Sequence, residues 1–340
     1  MDNNTLFGQN SPFSIAFTIG NLPIYWYAII SIIGYFVAIC IFLIVVSKRY
    51  KLSIDVPFYY IFIALPMIIL GARFWSCAIG DATWSKFFNF REGGLAVQGG
   101  VLFGVLTALI YFPLILRKPK YHVRVYENGN VYIKRPSMWI YADAIVPTIL
   151  IGQAIGRWGN FFNGEIFGAQ VSADSLSWLK TIMPGVYNHM TPAAGITVNG
   201  VTNGKAYFQP LFLYESFLNV VTFTIIYGLL AEFHEMKAGT ICCLYFIDYG
   251  IIRFIMESLR SSQFRFLATF ILNGFLLGIG VILFIYCQWI NPLFRDKKVF
   301  LYLRNYIVYL FNKSSREKPL LLTDKKYNRV DSEQLYFANH

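Results

Sequence analysis

The chain has 340 residues, of which 56% are hydrophobic and 14% charged, with a mean hydropathy of +0.50. That composition excludes a soluble globular protein and predicts an all-α integral membrane protein. The formal net charge of +11 is accompanied by no RNA- or DNA-binding motif. Nucleic acid is therefore not an expected partner, and the charge reads as anchoring against anionic membrane lipids.

The N-terminal MDNNTLFGQN has no basic stretch before an h-region, so no cleaved signal peptide is expected. Apolar runs that approach or exceed the roughly 20 residues of a bilayer-crossing helix follow at 25–46, 56–79, 94–116, 138–156, 208–231, 239–258 and 267–290. They predict seven transmembrane helices. Lysine and arginine collect in KRYK at 48–51, with three, and in the loop 117–135, with six. Short loops of this kind stay on the cytoplasmic side, which puts the N-terminus outside and the C-terminus inside. The sequence thus divides into a seven-helix membrane domain, 1–290, and a basic cytoplasmic tail, 291–340, in which ten Lys and Arg stand against five Asp and Glu. Residues 157–207, rich in Gly, Asn and Ser, are expected to form a small extracellular head. Residues 299–311 are too short to span and predict an interfacial helix. Cysteines at 40, 77, 242, 243 and 287 show no metal-ligand spacing and read as small core residues, so no metal or other cofactor is expected.

Ionisable groups at membrane depth are costly and face a cavity or a partner. In these spans they are Arg73, Asp143, Asp248, Arg253 and Glu257, with Arg157 at the end of the fourth. The topology places Arg73, Arg157 and Arg253 in the outer half. Tyr25, Trp26 and Tyr27 open the first span from that side, and EGGLAVQGG at 92–100 opens the third. Planar guanidinium groups suit phosphate through paired hydrogen bonds, so an anionic phospholipid headgroup is the expected occupant. A plainer alternative stands beside this one: Tyr249, Arg253, Glu257 and Arg260 share one helical stripe, and Arg253 and Glu257 could simply neutralise each other.

The stretch GRWGNFFNGEIFG at 156–168 resembles the signature of the bacterial prolipoprotein diacylglyceryl transferases. PIYWYA at 23–28, GARFW at 71–75, GGLAVQGG at 93–100, QPLFLYES at 209–216 and YGIIRFIMESLR at 249–260 match that family in the same order, and the resemblance covers roughly 20–290. It implies a multi-pass enzyme of the bacterial cell membrane that moves the diacylglyceryl group of phosphatidylglycerol onto the lipobox cysteine of a preprolipoprotein signal peptide. This is the first step of lipoprotein maturation, and it releases glycerol 1-phosphate. The resemblance marks Tyr27, Arg157, Asn160, Gly168 and Arg253 as essential, and Glu165, Tyr249 and Glu257 as lining or supporting the site. Arg73, Asn163 and Gln98 are expected to contact the headgroup. Gln98 stands where the family usually has a histidine, and the aspartate expected soon after Arg260 is absent from RSSQF. An amide is no base near neutral pH, so Glu165 or water is the expected proton acceptor. A transporter or channel for an anionic lipid, and a lipid-binding homologue without activity, are the competing functions.

Overall fold

The computed structural model describes residues 6–7, 13–20, 22–80, 82–89, 96–127, 130–194, 196–198, 200, 202, 206–228, 236–260 and 267–290. The tail 291–340 with its expected interfacial helix, and the glycines at 93 and 94, lie outside them. In chain order the elements begin with strands β1 (Ile15–Ile19) and β2 (Leu22–Tyr25) and helices α1 (Trp26–Ile44), α2 (Asp55–Ala78) and α3 (Val97–Ile115). A hairpin of β3 (Val123–Glu127) and β4 (Asn130–Lys134) leads to α4 (Met138–Ile145) and α5 (Thr148–Phe162). Then come β5 (Gln170–Val171), α6 (Ser177–Ile182), α7 (Pro184–Asn188), β6 (Tyr207–Phe208), α8 (Leu211–Gly228), α9 (Thr240–Leu259) and α10 (Leu267–Ile285).

The molecule is mostly helical. Among the described residues six segments are long and apolar enough to cross a membrane: Trp26–Arg49, Asp55–Ala78, Gln98–Ile115, Met138–Phe162, Leu211–Gly228 and Phe270–Ile290. Helix α9 is equally long, at 20 residues, but Asp248, Arg253 and Glu257 keep it out of that set. The stretch expected at 138–156 is interrupted at Val146 and Pro147, because proline lacks the N–H that would continue the helix and clashes with the turn before it. Helix α5 then runs on through Arg157 to Phe162, past the predicted end. Its polar residues find side-chain partners, so nothing forces the helix to stop at the first charge. Three two-stranded antiparallel sheets, the hairpins β1–β2 and β3–β4 and the pair β5–β6, were not visible in hydropathy. Tyr25 closes β2 instead of opening the first span.

The described chain falls into two compact units, one made of residues up to Ile41 and from Ile145 onward, the other of Phe42–Ala144. In the second unit α2 and α3 pack face to face, with Gly71 and Gly99 so close that a side chain on either would overlap the other's carbonyl oxygen. This close approach of small residues is how helices associate without a hydrophobic drive. Tyr60 Oη donates to the Gly104 carbonyl at 3.2 Å and Tyr111 Oη to that of Val56 at 2.9 Å.

In the first unit the segment after α5 folds into short elements around an apolar core that includes Phe161, Phe167, Leu179, Met190, Phe208 and Phe212. Phe161 of α5 stacks on Phe212 of α8 with ring centroids 4.8 Å apart, and Phe13 stacks on His189 at 4.1 Å. Burying side chains of this size stabilises by about 1.5–3 kcal/mol each. Their placement fixes the ends of α5 and α8, two of the helices from which the site is built.

Candidate active site

Helix α5 carries Arg157 and Asn160 three residues apart, hence on one face. The chain then reverses sharply through Gly164 at φ +67° and Ile166 at φ +55°. Left-handed backbone is natural for glycine but costs a β-branched residue about 1–3 kcal/mol. The reversal returns Glu165 to the helix end, where Asn160 Nδ2 donates to Glu165 Oε2 and Asn163 Nδ2 to Oε1, each at 3.4 Å.

Gly168 ties this turn to two other helices. Its N–H donates to the Gln209 carbonyl at 2.8 Å, the next N–H, of Ala169, donates to Leu259 at 3.1 Å, and Gly168 forms an antiparallel bridge with Arg260. A Cβ at Gly168 would lie 2.8 Å from Gln209 Cβ and 3.0 Å from the Leu259 oxygen. The signature is thereby pinned to the start of α8 and the end of α9. Tyr27 packs on the same helix: a Cβ on Gly159 would sit 3.0 Å from Tyr27 Cδ2 and 3.2 Å from its Cα, so α1 and α5 meet there, and Tyr27 stays 43% exposed.

At the centre stands Glu215 of α8, whose side chain is 2% exposed. Its Oε1 takes Arg157 Nη2 at 2.6 Å and lies 3.5 Å from Arg253 Nη1 of α9. Arg157 Nη1 also donates to Asn160 Oδ1 at 3.3 Å, and Arg253 Nε to Tyr249 Oη at 3.2 Å. Two guanidinium groups on one carboxylate leave a net charge of about +1 in a poorly hydrated place, where Coulomb attraction for an anion is strong. The arginine side chains are 12% and 25% exposed, so an anion can reach them. Glu215 holds together two cations that would otherwise repel.

A family model described as prolipoprotein diacylglyceryl transferase matches residues 14–290. The chain belongs to that family. The phosphatidylglycerol–prolipoprotein diacylglyceryl transferase of Ureaplasma urealyticum serovar 10 is 50% identical over 316 residues, 92% of each chain. Its counterpart from Ureaplasma parvum serovar 3 is 53% identical over 285 residues, 83% of this chain and 84% of the other, and that of Mycoplasmoides gallisepticum 44% identical over 359 residues, 97% and 95%. The chain is accordingly a membrane transferase, and the matched range includes Arg157, Glu215 and Arg253.

The structure brings Arg157, Asn160, Asn163, Glu165, Tyr249 and Arg253 together in the first unit. Two other charged groups take partners that the sequence did not name. Arg253 does not neutralise Glu257; it leans across to Glu215, and Glu257, 4% exposed, pairs with Arg260 Nη1 at 3.6 Å. Arg73, 2% exposed, donates from Nε to the Phe87 carbonyl at 3.0 Å and from Nη2 to those of Lys86 and Asn89 at 2.6 and 3.1 Å, which fastens the loop that follows its helix. Arg73 and the exposed Gln98 both belong to the second unit. The residue that sequence reasoning missed is Glu215. Its signal was present, an ionisable group inside the apolar run 208–231, and the rule that singled out Arg253 applies to it equally.

Proposed function

We propose that the chain transfers the diacylglyceryl group of phosphatidylglycerol to the lipobox cysteine of a preprolipoprotein at the outer face of the bacterial cell membrane. The observation that supports this most is the pair of arginines gathered on Glu215. In the reaction the cysteine sulfur attacks the glyceryl carbon, the carbon–oxygen bond to phosphate breaks, and its electron pair leaves on glycerol 1-phosphate. Charge grows on the phosphate as that bond breaks. Arg157 and Arg253 are placed to meet it, and preorganised donors of this kind lower the barrier. The thiol proton goes to Glu165, which Asn160 and Asn163 hold beside the arginines. Tyr27 packs at the same helix end and Tyr249 orients Arg253.

In this reading α9 is a seventh span, since its charged residues are engaged by neighbours and are not offered to lipid. The lysines and arginines of 48–51 and 117–135 then put the N-terminus outside and the C-terminus inside. Incubating the membrane-embedded protein with phosphatidylglycerol labelled in its acyl chains and a lipobox peptide tests the function. Label should become joined to cysteine through a thioether, and a peptide with serine in place of that cysteine should stay unlabelled. Lipid that is bound or moved across the membrane, with no attachment, would contradict the reading.

A further inference from the structure

Below the arginines, away from the head, the same three helix faces stay polar. On α5 the stripe runs Asn160, Arg157, Gln153; on α8 it runs Glu215, Asn219, Thr222; on α9 it runs Arg253, Tyr249, Asp248 and Tyr245. Spacings of three or four residues keep each set on one face, except that Asp248 lies about 100° round α9 from Tyr249 and is turned to Thr222 of α8. Gln153 Nε2 donates to Tyr245 Oη at 3.3 Å, joining α5 to α9, and Asp248 takes a side-chain hydrogen bond from Thr222, joining α9 to α8. Three buried atoms of this layer have no hydrogen-bond partner among the described residues: Gln153 Oε1, Asn219 Nδ2 and Asp248 Oδ2. Asn219 is only 2% exposed. Leaving such groups unpaired in an apolar surround is costly; Gln153 sits about one helical turn below Arg157, Asn219 about one turn below Glu215, and Asp248 five residues below Arg253.

We infer that this layer receives the free glycerol of the phosphatidylglycerol headgroup, with Gln153, Asn219 and Asp248 as the residues that select it. The inference rests on the phosphate position proposed above. A glycerol esterified to phosphate reaches about 5 Å beyond it, a few bond lengths, which matches one turn. Its two hydroxyls each offer one donor and accept in return, and the unpartnered atoms are two acceptors and one donor. The terminal diol, not the charge, is then what distinguishes this lipid from other anionic phospholipids.

The test uses the full chain in detergent micelles with a lipobox peptide, and compares phosphatidylglycerol with phosphatidylethanol of the same acyl chains, which keeps the phosphodiester charge and lacks the diol. The unaltered chain should prefer phosphatidylglycerol by at least about tenfold in kcat/KM, because a site built around a hydroxyl rejects the analogue without it. Asn219→Leu and Gln153→Leu should each bring that ratio within about threefold. Since a variant can fail to fold, the ratio of the unaltered chain decides first. Equal use of both lipids by the unaltered chain overturns the inference alone, as does a variant that slows both lipids by the same factor. No transfer from either lipid would overturn the proposed function and this inference with it.

Discussion

Arg73 and Arg157 are alike in the sequence, each an arginine in an apolar helix, and both are held inside the protein. In the α2–α3 unit the Arg73 guanidinium is satisfied by three carbonyls of the loop that follows its own helix. In the α5–α8–α9 unit Arg157 shares one carboxylate oxygen with Arg253, and its Nε is buried with no hydrogen-bond partner among the described residues. The first arrangement fastens a loop. The second keeps an excess of positive charge on side chains that are 12% and 25% exposed. An arginine at membrane depth therefore points to ligand binding only when its neighbours leave charge and donors over, and the decisive neighbour, Glu215, lies 58 positions from Arg157 in the chain.

That difference can be broken in order of expected effect. Glu215→Leu should be the most damaging change, because it strands two cations in a poorly hydrated place. Transfer should fall to background, and thermal unfolding should report a loss of about 3–5 kcal/mol. Arg73→Met should act on folding instead. It orphans three carbonyls at about 1–3 kcal/mol each, so the yield of folded protein drops, while turnover per folded molecule stays within about twofold. A large fall in turnover with normal stability would return Arg73 to the site.

Two glycines of the signature sharpen the same contrast between holding and binding. Gly168→Ala drives a methyl group against Gln209 and the Leu259 carbonyl, and overpacking of this kind costs about 1–3 kcal/mol. Gly156→Ala meets nothing within 4 Å, and in a helix interior it should leave the unfolding temperature unchanged or slightly higher. Equal destabilisation by both would show that the close approach at Gly168 is not what that position requires. The smallest effect belongs to the other unit. Gln98→His should change turnover by no more than a few fold, and should add no inflection near pH 6.5, the ordinary value for histidine, if Glu165 takes the proton. A pH profile of both proteins checks this, and a large gain with a new inflection would mean that the chemistry wants a base at position 98.

Much of the fold was legible because lipid demands long apolar helices, and the runs at 25–46, 56–79 and 267–290 find helices close to their expected bounds. The break at Pro147 and the extension of α5 to Phe162 were not legible from hydropathy, since that scale weighs a residue's transfer into lipid and ignores the partner it meets inside the protein. Arg157, Asn160 and Arg253 were recognisable as residue types that seldom sit at membrane depth without a task. The partners were harder. Glu257 is the near neighbour of Arg253 in sequence, yet Glu215 on another helix is the one in reach, and the carbonyls that hold Arg73 carry no mark in the sequence at all.

In the proposed reaction Arg157 and Arg253 grip the phosphate of the lipid through paired guanidinium hydrogen bonds. Turnover of Arg157→Lys with phosphatidylglycerol and a lipobox peptide, measured on protein shown to be inserted and folded, tests it most directly. A lysine keeps the charge opposite Glu215 and loses the planar fork, so the account predicts a fall of at least about 100-fold with an unfolding temperature close to that of the unaltered chain. Near-normal turnover in that variant would contradict it.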